Sequence, residues 1–163
     1  MWYASLGATA MQAAAPSGTY EELASRASTL VTPEISVIDK DIGRTFPERP
    51  EFQSPEAHSR LRRVLSAYAV RHTYCQGMSY VAAMLLQHLP EREAFWALAA
   101  LVEQFLPPRY YTEDLHGTLM DQHVGFAVFL PHKLPRLAAH LASLEFPLTL
   151  IGARWFLCLF AAD

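Results

Sequence analysis

The sequence predicts an all-α fold of eight or nine packed helices. Apolar residues recur at helical spacing over several long segments, as at Leu61, Val64, Leu65 and Tyr68. No stretch alternates apolar and polar residues over a useful length, and no hairpin dipeptide lies between such runs. With 52% apolar and 18% charged residues among 163, the chain has ample material for a buried core. That length suits one domain, or part of a larger one, and no internal repeat divides it.

Taken in order, Trp2 to Leu6 reads as the tail end of an element. Ala8 to Ser17 is Ala-rich and runs into Pro16-Ser17-Gly18, a loop signal. Thr19 is expected to cap a short helix, with Glu21 and Glu22 in its first turn, where acids favour the dipole. Tyr20, Leu23 and Ala27 give that helix one apolar edge. Thr32 before Pro33 reads as an N-cap followed by proline at the first helical position, opening a helix from Pro33 to about Gly43. Pro47, Pro50 and Pro55 cannot sit in a helix interior and mark an irregular segment. Ser59 to His72 is then an amphipathic helix. Arg60, Arg62, Arg63 and Arg71 lie mostly off its apolar stripe; most read as a solvated face, and one or two as contacts for an acidic partner.

Met78 to Leu89 is the next helix, with Val81, Met84, Leu85 and His88 on its buried side and Pro90 at its end. Glu91 to Leu106 carries Ala94, Phe95, Leu98, Leu101, Val102 and Phe105 at helical spacing, up to Pro107-Pro108. Tyr110-Tyr111 through Gly117 is a loop. Thr118 to Leu130 and Leu134 to Leu144 are two further periodic segments, divided by Pro131 and Pro135. Leu134, Leu137, Leu141 and Leu144 line one face of the second. Leu148 to Ala161 is a last helix, apolar almost all round, and such a helix requires cover on every side.

Two short stretches carry chemistry. In Ile38-Asp39-Lys40-Asp41-Ile42-Gly43-Arg44-Thr45-Phe46-Pro47, Asp41 and Arg44 stand three apart. On a helical turn this puts the carboxylate beside the guanidinium, where it holds it by charge-assisted hydrogen bonds. Ile38 and Ile42 bury the other side of the turn, and Pro47 stops the helix soon after. On this stretch alone, an ordinary surface Asp–Arg pair is the favoured reading. The second stretch, Thr73-Tyr74-Cys75-Gln76-Gly77-Met78, places a Gln between an aromatic and a Gly, just ahead of an apolar helix.

Together, I-x-x-D-x-x-R-T-F-P and Y-C-Q-G-M resemble the TBC domain, the GTPase-activating domain for Rab-type small GTPases. Each pattern is weak alone; both in this order make a specific signal. Glu93-Ala94-Phe95-Trp96 and Trp155-Phe156-Leu157-Cys158-Leu159-Phe160 agree with the family. The family opens with an Arg four residues before a Trp; Trp2 matches that Trp, and the Arg position falls before Met1. The resemblance covers residues 1–163 and the N-terminal and central part of the domain. A further helical portion is expected after Asp163, so the chain reads as a fragment or a truncated member.

The resemblance implies an arginine finger at Arg44 and a glutamine finger at Gln76, inserted in trans into a Rab GTPase. It implies supporting roles for Asp41, which orients Arg44, for Tyr74, which braces the connector, and for Ile38 and Gly77. Gly77 leaves the backbone unobstructed for close approach. The chain would carry no cofactor of its own, since GTP and Mg2+ travel with the GTPase, and no hydrolase activity of its own. Its place would be cytoplasmic, or peripheral at endomembranes through the Rab, in vesicle trafficking. The alternative is a Rab-binding or scaffold module that keeps the fold without the activity.

Other chemistries are disfavoured. A net charge of −3 argues against nucleic-acid binding driven by phosphate neutralisation. No apolar run reaches membrane-spanning length, and no signal peptide is legible. Cys75 and Cys158, the two cysteines, show no zinc spacing and read as free thiols of a reducing compartment. Cys75 fills the variable position of Y-x-Q, so it reads as filler rather than nucleophile. His116, His123, His132 and His140 are spread over several segments without H-E-x-x-H or H-x-H. No Gly-rich phosphate loop is present, so GTP binding by the chain itself is not expected.

Overall fold

The computed structural model describes residues 2–162; the side chains of Trp2, Leu150 and Ile151, and so the match of Trp2 to the family's opening Trp, lie outside the described residues. Among the described residues every regular element is helical. They divide into two compact units, Met1–Leu106 and Pro107–Asp163.

The first unit holds seven α-helices: α1 (Trp2–Ser5), α2 (Ala8–Ala14), α3 (Thr19–Thr29), α4 (Pro33–Ile42), α5 (Pro55–Arg71), α6 (Met78–His88) and α7 (Glu91–Ala100). The α4 start is as the sequence dictates. Thr32 accepts the Ile35 N–H at 3.3 Å, and Pro33 sits in the first turn, where its missing donor costs nothing. Thr19 does not cap α3. It is the first residue of the helix, Gly18 at φ 82 turns the chain in, and the Thr19 hydroxyl donates backward to the Pro16 carbonyl at 2.6 Å. Pro55 likewise belongs to a helix: Ser54 accepts the Ala57 N–H at 3.1 Å, and α5 begins a turn before Ser59. Pro50 opens a short 3-10 turn over Pro50–Phe52.

Helix α5 packs against α3, α4, α6 and α7. Its Leu61, Val64, Leu65 and Tyr68 are all buried, and Ala94 through Ala100 of α7 are buried without exception. Burying a side chain of Leu or Phe size stabilises by about 1.5–3 kcal/mol, so these buried stripes contribute substantially to the unit's stability. Tyr20 of α3 packs on Phe95 with ring centroids 5.1 Å apart. In α6, Val81 and Leu85 are buried as expected, while Met84 is half-buried and His88 lies exposed in the last turn.

The segment after α7 is a π turn, Leu101–Phe105. A π turn adds a residue to the helical repeat and rotates everything beyond it. Phe105, grouped by α-helical spacing with Ala94, Phe95 and Leu98, is therefore 57% exposed rather than buried with them.

The arginines of α5 tie this helix to its neighbours. Arg62 donates to both oxygens of Asp39 on α4, at 2.7 and 3.2 Å. Arg63 spans Glu91 at 2.8 and 2.7 Å, and Arg71 spans Glu103 at 2.8 and 2.9 Å. Arg60 points at the Leu86 and Leu89 carbonyls, at the end of α6. These side chains are committed within the molecule rather than left as a free basic face.

The second unit holds α8 (His116–His123), a π turn over Val124–Phe129, α9 (Leu130–Lys133), α10 (Pro135–Ser143) and α11 (Leu148–Leu157). Helix α8 packs on α11. Gly152 of α11 meets Phe126, whose ring lies 2.1 Å from where a Cβ would stand, so only glycine fits. Tyr110 and Tyr111, in the loop before α8, are buried and donate to the Phe156 and Leu157 carbonyls at 2.8 and 2.6 Å. Part of the cover that α11 requires thus comes from earlier in the chain. Helix α10 is amphipathic, but none of its residues is buried, and Leu134, Leu137 and Leu144 of the leucine stripe are exposed. Its main neighbour is α9, four residues long, which is too short to cover the stripe. No described helix is long and apolar enough to cross a membrane.

Glu91 offers a test of the ties. Tyr20 of α3 and Arg63 of α5 both donate to it. Burial pushes its carboxyl up, but the Arg63 and Tyr20 bonds outweigh this and hold it below the ordinary range. A depressed carboxylate stabilises the fold above its unfolded pKa and loses that contribution as pH falls through the folded one. Glu91→Gln is expected to cost about 1 kcal/mol at pH 7. The Tm gap to wild type should close as the pH falls below the ordinary carboxylate range. A gap of the same size at pH 7 and pH 3 would show that the charge plays no part.

Candidate functional site

Helix α4 ends at Ile42 with Gly43 as its cap residue, and the chain turns sharply after it. The Arg44 N–H bonds the Asp41 carbonyl at 3.2 Å and the Thr45 N–H the Ile42 carbonyl at 3.1 Å. Ile38 is fully buried and Ile42 nearly so, which anchors the apolar side of the last turn. Asp41 lies on this same buried face of α4, and Arg44 follows just past the helix end.

The Asp41 side chain is 2% exposed and the Arg44 side chain 57%. Arg44 donates from Nε to Asp41 Oδ1 at 2.7 Å and from Nη2 to the same oxygen. Asp41 Oδ2 accepts the Tyr74 hydroxyl at 2.6 Å. Burial first, then the hydrogen bond to Asp41 and its negative charge, push the Tyr74 hydroxyl far above its ordinary pKa. It therefore stays a donor across the physiological range. One carboxylate thus joins the turn carrying Arg44 to the connector carrying Gln76.

A second set of bonds fixes the backbone just after Arg44. The Thr45 hydroxyl donates to the Asp41 carbonyl at 2.7 Å and lies 2.9 Å from Ser79 Oγ. Tyr80 donates its hydroxyl to the Arg44 carbonyl at 2.9 Å. The Gln53 amide donates to the carbonyls of Thr45 and Phe46 at 3.0 and 3.1 Å. Phe46 is held at φ 48, a left-handed conformation unfavourable for a bulky residue. Its ring stacks on Phe52 at 4.6 Å and meets Tyr80 edge-on at 5.0 Å, and these contacts offset the strain.

In the connector, Tyr74 is buried, Cys75 half-buried and Gln76 exposed. Gly77 is the N-cap of α6 at φ 98, a backbone conformation that favours glycine. Gln76 lies two residues after Tyr74 and four before Tyr80, and both tyrosines bond the Arg44 segment. The two residues singled out by the motifs are thus exposed side chains on segments cross-tied beneath them.

Sequence reasoning singled out Asp41 and Tyr74 but missed Thr45, Ser79, Tyr80 and Gln53. A signal existed for two of them. Ser79 and Tyr80 stand three and four residues after Gln76, in the first turn of α6, which faces back along the connector. Among the described residues no group of three or more His, Cys, Asp or Glu comes together as metal ligands would.

The family model of the Rab-GTPase-TBC domain matches residues 2–163. Two relatives are similar over most of the chain. TBC1 domain family member 2B of Xenopus tropicalis is 37% identical over 164 residues, 98% of this chain and 17% of that protein. TBC1 domain family member 2A of Homo sapiens is 41% identical over 150 residues, 88% of this chain and 16% of that protein. Among solved structures, the Chlamydomonas flagellar RabGAP TBC domain superposes with a TM-score of 0.81 at 32% identity, over 98% of this chain and 53% of that one. The Ypt/Rab-GAP domain of Gyp1p, at 23% identity and a TM-score of 0.70, shares the fold over 86% of this chain and 54% of its own. The chain belongs to the Rab-GTPase-TBC domain family. It spans about a sixth of the length of the curated relatives it matches.

Cys75 stands beside Gln76 yet is a poor nucleophile. Burial first, then the Asp41 charge, push its thiol up to about 11. Because the thiolate is the reactive form, iodoacetamide at pH 8 should label Cys75 about a hundredfold more slowly than a free cysteine. The labelling rate, followed by site-resolved mass spectrometry, should keep climbing to about pH 11. A rate that levels off near pH 9 would mark an activated thiol instead.

Proposed function

We propose that the chain accelerates GTP hydrolysis by a Rab-family GTPase, with Arg44 and Gln76 acting in trans. The observation that carries this reading is the Asp41 carboxylate, which holds Arg44 with one oxygen and the brace of the Gln76 connector with the other. An exposed guanidinium on a buried anchor, cross-tied to a segment presenting an exposed Gln, suits a pair of groups that must enter a partner's active site together.

In this reading the GTPase brings GTP and Mg2+, and the chain brings charge and orientation. Negative charge develops on the phosphoryl oxygens in the transition state, and Arg44 neutralises it; such fingers are worth about 10³–10⁵ in rate. The Gln76 amide both donates and accepts, so it holds the attacking water against the γ-phosphate. It takes over from the GTPase's own Gln. Asp41 and Tyr74 position these groups without touching the nucleotide, and Ile38 and Gly77 set the backbone beneath them. The setting that follows is the cytosolic face of endomembranes, reached through the Rab, in control of vesicle traffic.

The test is single-turnover GTP hydrolysis across a panel of Rab proteins, run with this chain and with the chain joined to the remaining part of the Chlamydomonas domain. With a responsive Rab, Arg44→Ala should remove about 10³-fold or more of the stimulation, and Arg44→Lys should recover little of it. Gln76→Ala should be severe too. The two losses should not add, since both groups serve one transition state. Binding to the GTPase loaded with GDP and aluminium fluoride should weaken far more than binding to the GTP-loaded form. Near-wild-type stimulation in both variants would sink the finger mechanism and leave a Rab-binding scaffold in its place.

A further inference from the structure

The Arg44 side chain is more than half exposed, and a single carboxylate oxygen holds it. A long side chain held at one oxygen is aimed from its base, so where its tip arrives depends on how well its Cα is fixed. Tyr80 addresses that point directly. Its hydroxyl donates to the carbonyl of Arg44 itself at 2.9 Å. Its ring is steadied edge-on against Phe46 at 5.0 Å. From the other side, Gln53 holds the next two carbonyls, at 3.0 and 3.1 Å. Tyr80 also stands in the first turn of α6, one turn beyond Gln76. The same residue therefore touches the base of one finger and belongs to the helix that follows the other.

The geometry points to Tyr80 as a positioning residue. Through the Arg44 carbonyl it fixes the base from which Arg44 reaches the transferring phosphoryl group, and it keeps that base in register with Gln76. This rests on the proposed function and adds to it a residue outside both motifs. The Tyr74–Asp41 bond orients the guanidinium in the free protein. The Tyr80 bond acts on the backbone, so it fixes the base of the side chain whether or not the free donors of the guanidinium have met a partner.

Tyr80→Phe removes the hydroxyl and keeps the ring on Phe46. Misplacing a catalytic group by a fraction of an ångström is costly, so kcat for stimulated hydrolysis should fall about tenfold, with KM for the GTP-loaded Rab nearly unchanged. In an Arg44→Ala background the same substitution should cost nothing further, because no finger remains to be aimed. The free protein gives a reading that needs no GTPase. With ¹⁵N-labelled arginine, the Arg44 Nε proton on Asp41 should exchange with water several-fold faster in Tyr80→Phe. Unchanged exchange, an unchanged kcat, or an equal loss with and without Arg44 would each overturn the role assigned to Tyr80. Arg44→Ala with wild-type stimulation would overturn the finger reading, and the role of Tyr80 with it.

Discussion

The Asp41 carboxylate is 2% exposed, and a charge so placed must be paired or it destabilises the turn around it by several kcal/mol. Two Arg44 N–H groups and the Tyr74 hydroxyl supply the pairing. The choice of partners has consequences beyond the pair. Arg44 cannot wander without exposing an uncompensated charge, and the connector before Gln76 cannot drift without removing the second donor. Ile38 and Ile42 hold the carboxylate in place from below, since their burial fixes the rotation of α4. The geometry of the candidate site follows from satisfying this one group.

The rest of the first unit keeps that group's surroundings rigid. Helix α5 lies among α3, α4, α6 and α7, so α4 and α6, which flank the two motifs, are registered against one common helix. Its arginines reach Asp39 on α4 and the last carbonyls of α6, one tie for each flanking helix. Exposed ion pairs contribute little to stability individually, about 0–1 kcal/mol. The bidentate geometry of the Arg62–Asp39 pair makes it more useful as alignment than as energy, because two parallel bonds fix the direction of approach.

Much of this was legible in the sequence wherever the cause was local. The Thr32-Pro33 start, the Asp41–Arg44 pairing and the buried stripe of α5 follow from spacing, because the interacting groups are one helical turn apart. The all-helical fold was legible for the same reason, and the family was legible from the resemblance of the two short motifs. What escaped depends on partners far along the chain or on a change of helical repeat. The place of Ser79 and Tyr80 one turn past Gln76 could be read, but Tyr80 and Arg44 are 36 positions apart and Ser79 and Thr45 are 34, and no periodicity announces which residues they bond. Phe105 was misassigned because the α-helical repeat was carried through a π turn. Pro55 was misread because proline was taken as a breaker, although Ser54 before it made the first turn of α5 its natural place. Leu134, Leu137 and Leu144 do share a face, as their spacing requires, but nothing local says whether a neighbour will cover it.

The pairing of Arg44 with Asp41 also bears on why an arginine, and not a lysine, suits this position. Asp41 takes Nε and Nη2, and Nη1 has no partner among the described residues. A planar guanidinium can therefore stay on its anchor and still present donors in a fixed direction outward. An ammonium has one nitrogen, and any bond it keeps to Asp41 draws its whole charge inward. The anchored Arg–Asp pair carries less net charge than a bare arginine, which lowers its pull on a distant phosphate. In exchange the side chain is already ordered before a partner arrives, so less conformational entropy is lost on engagement. Under the proposed mechanism this group meets a transition state rather than attracting a ground state, and there order counts for more than long-range attraction.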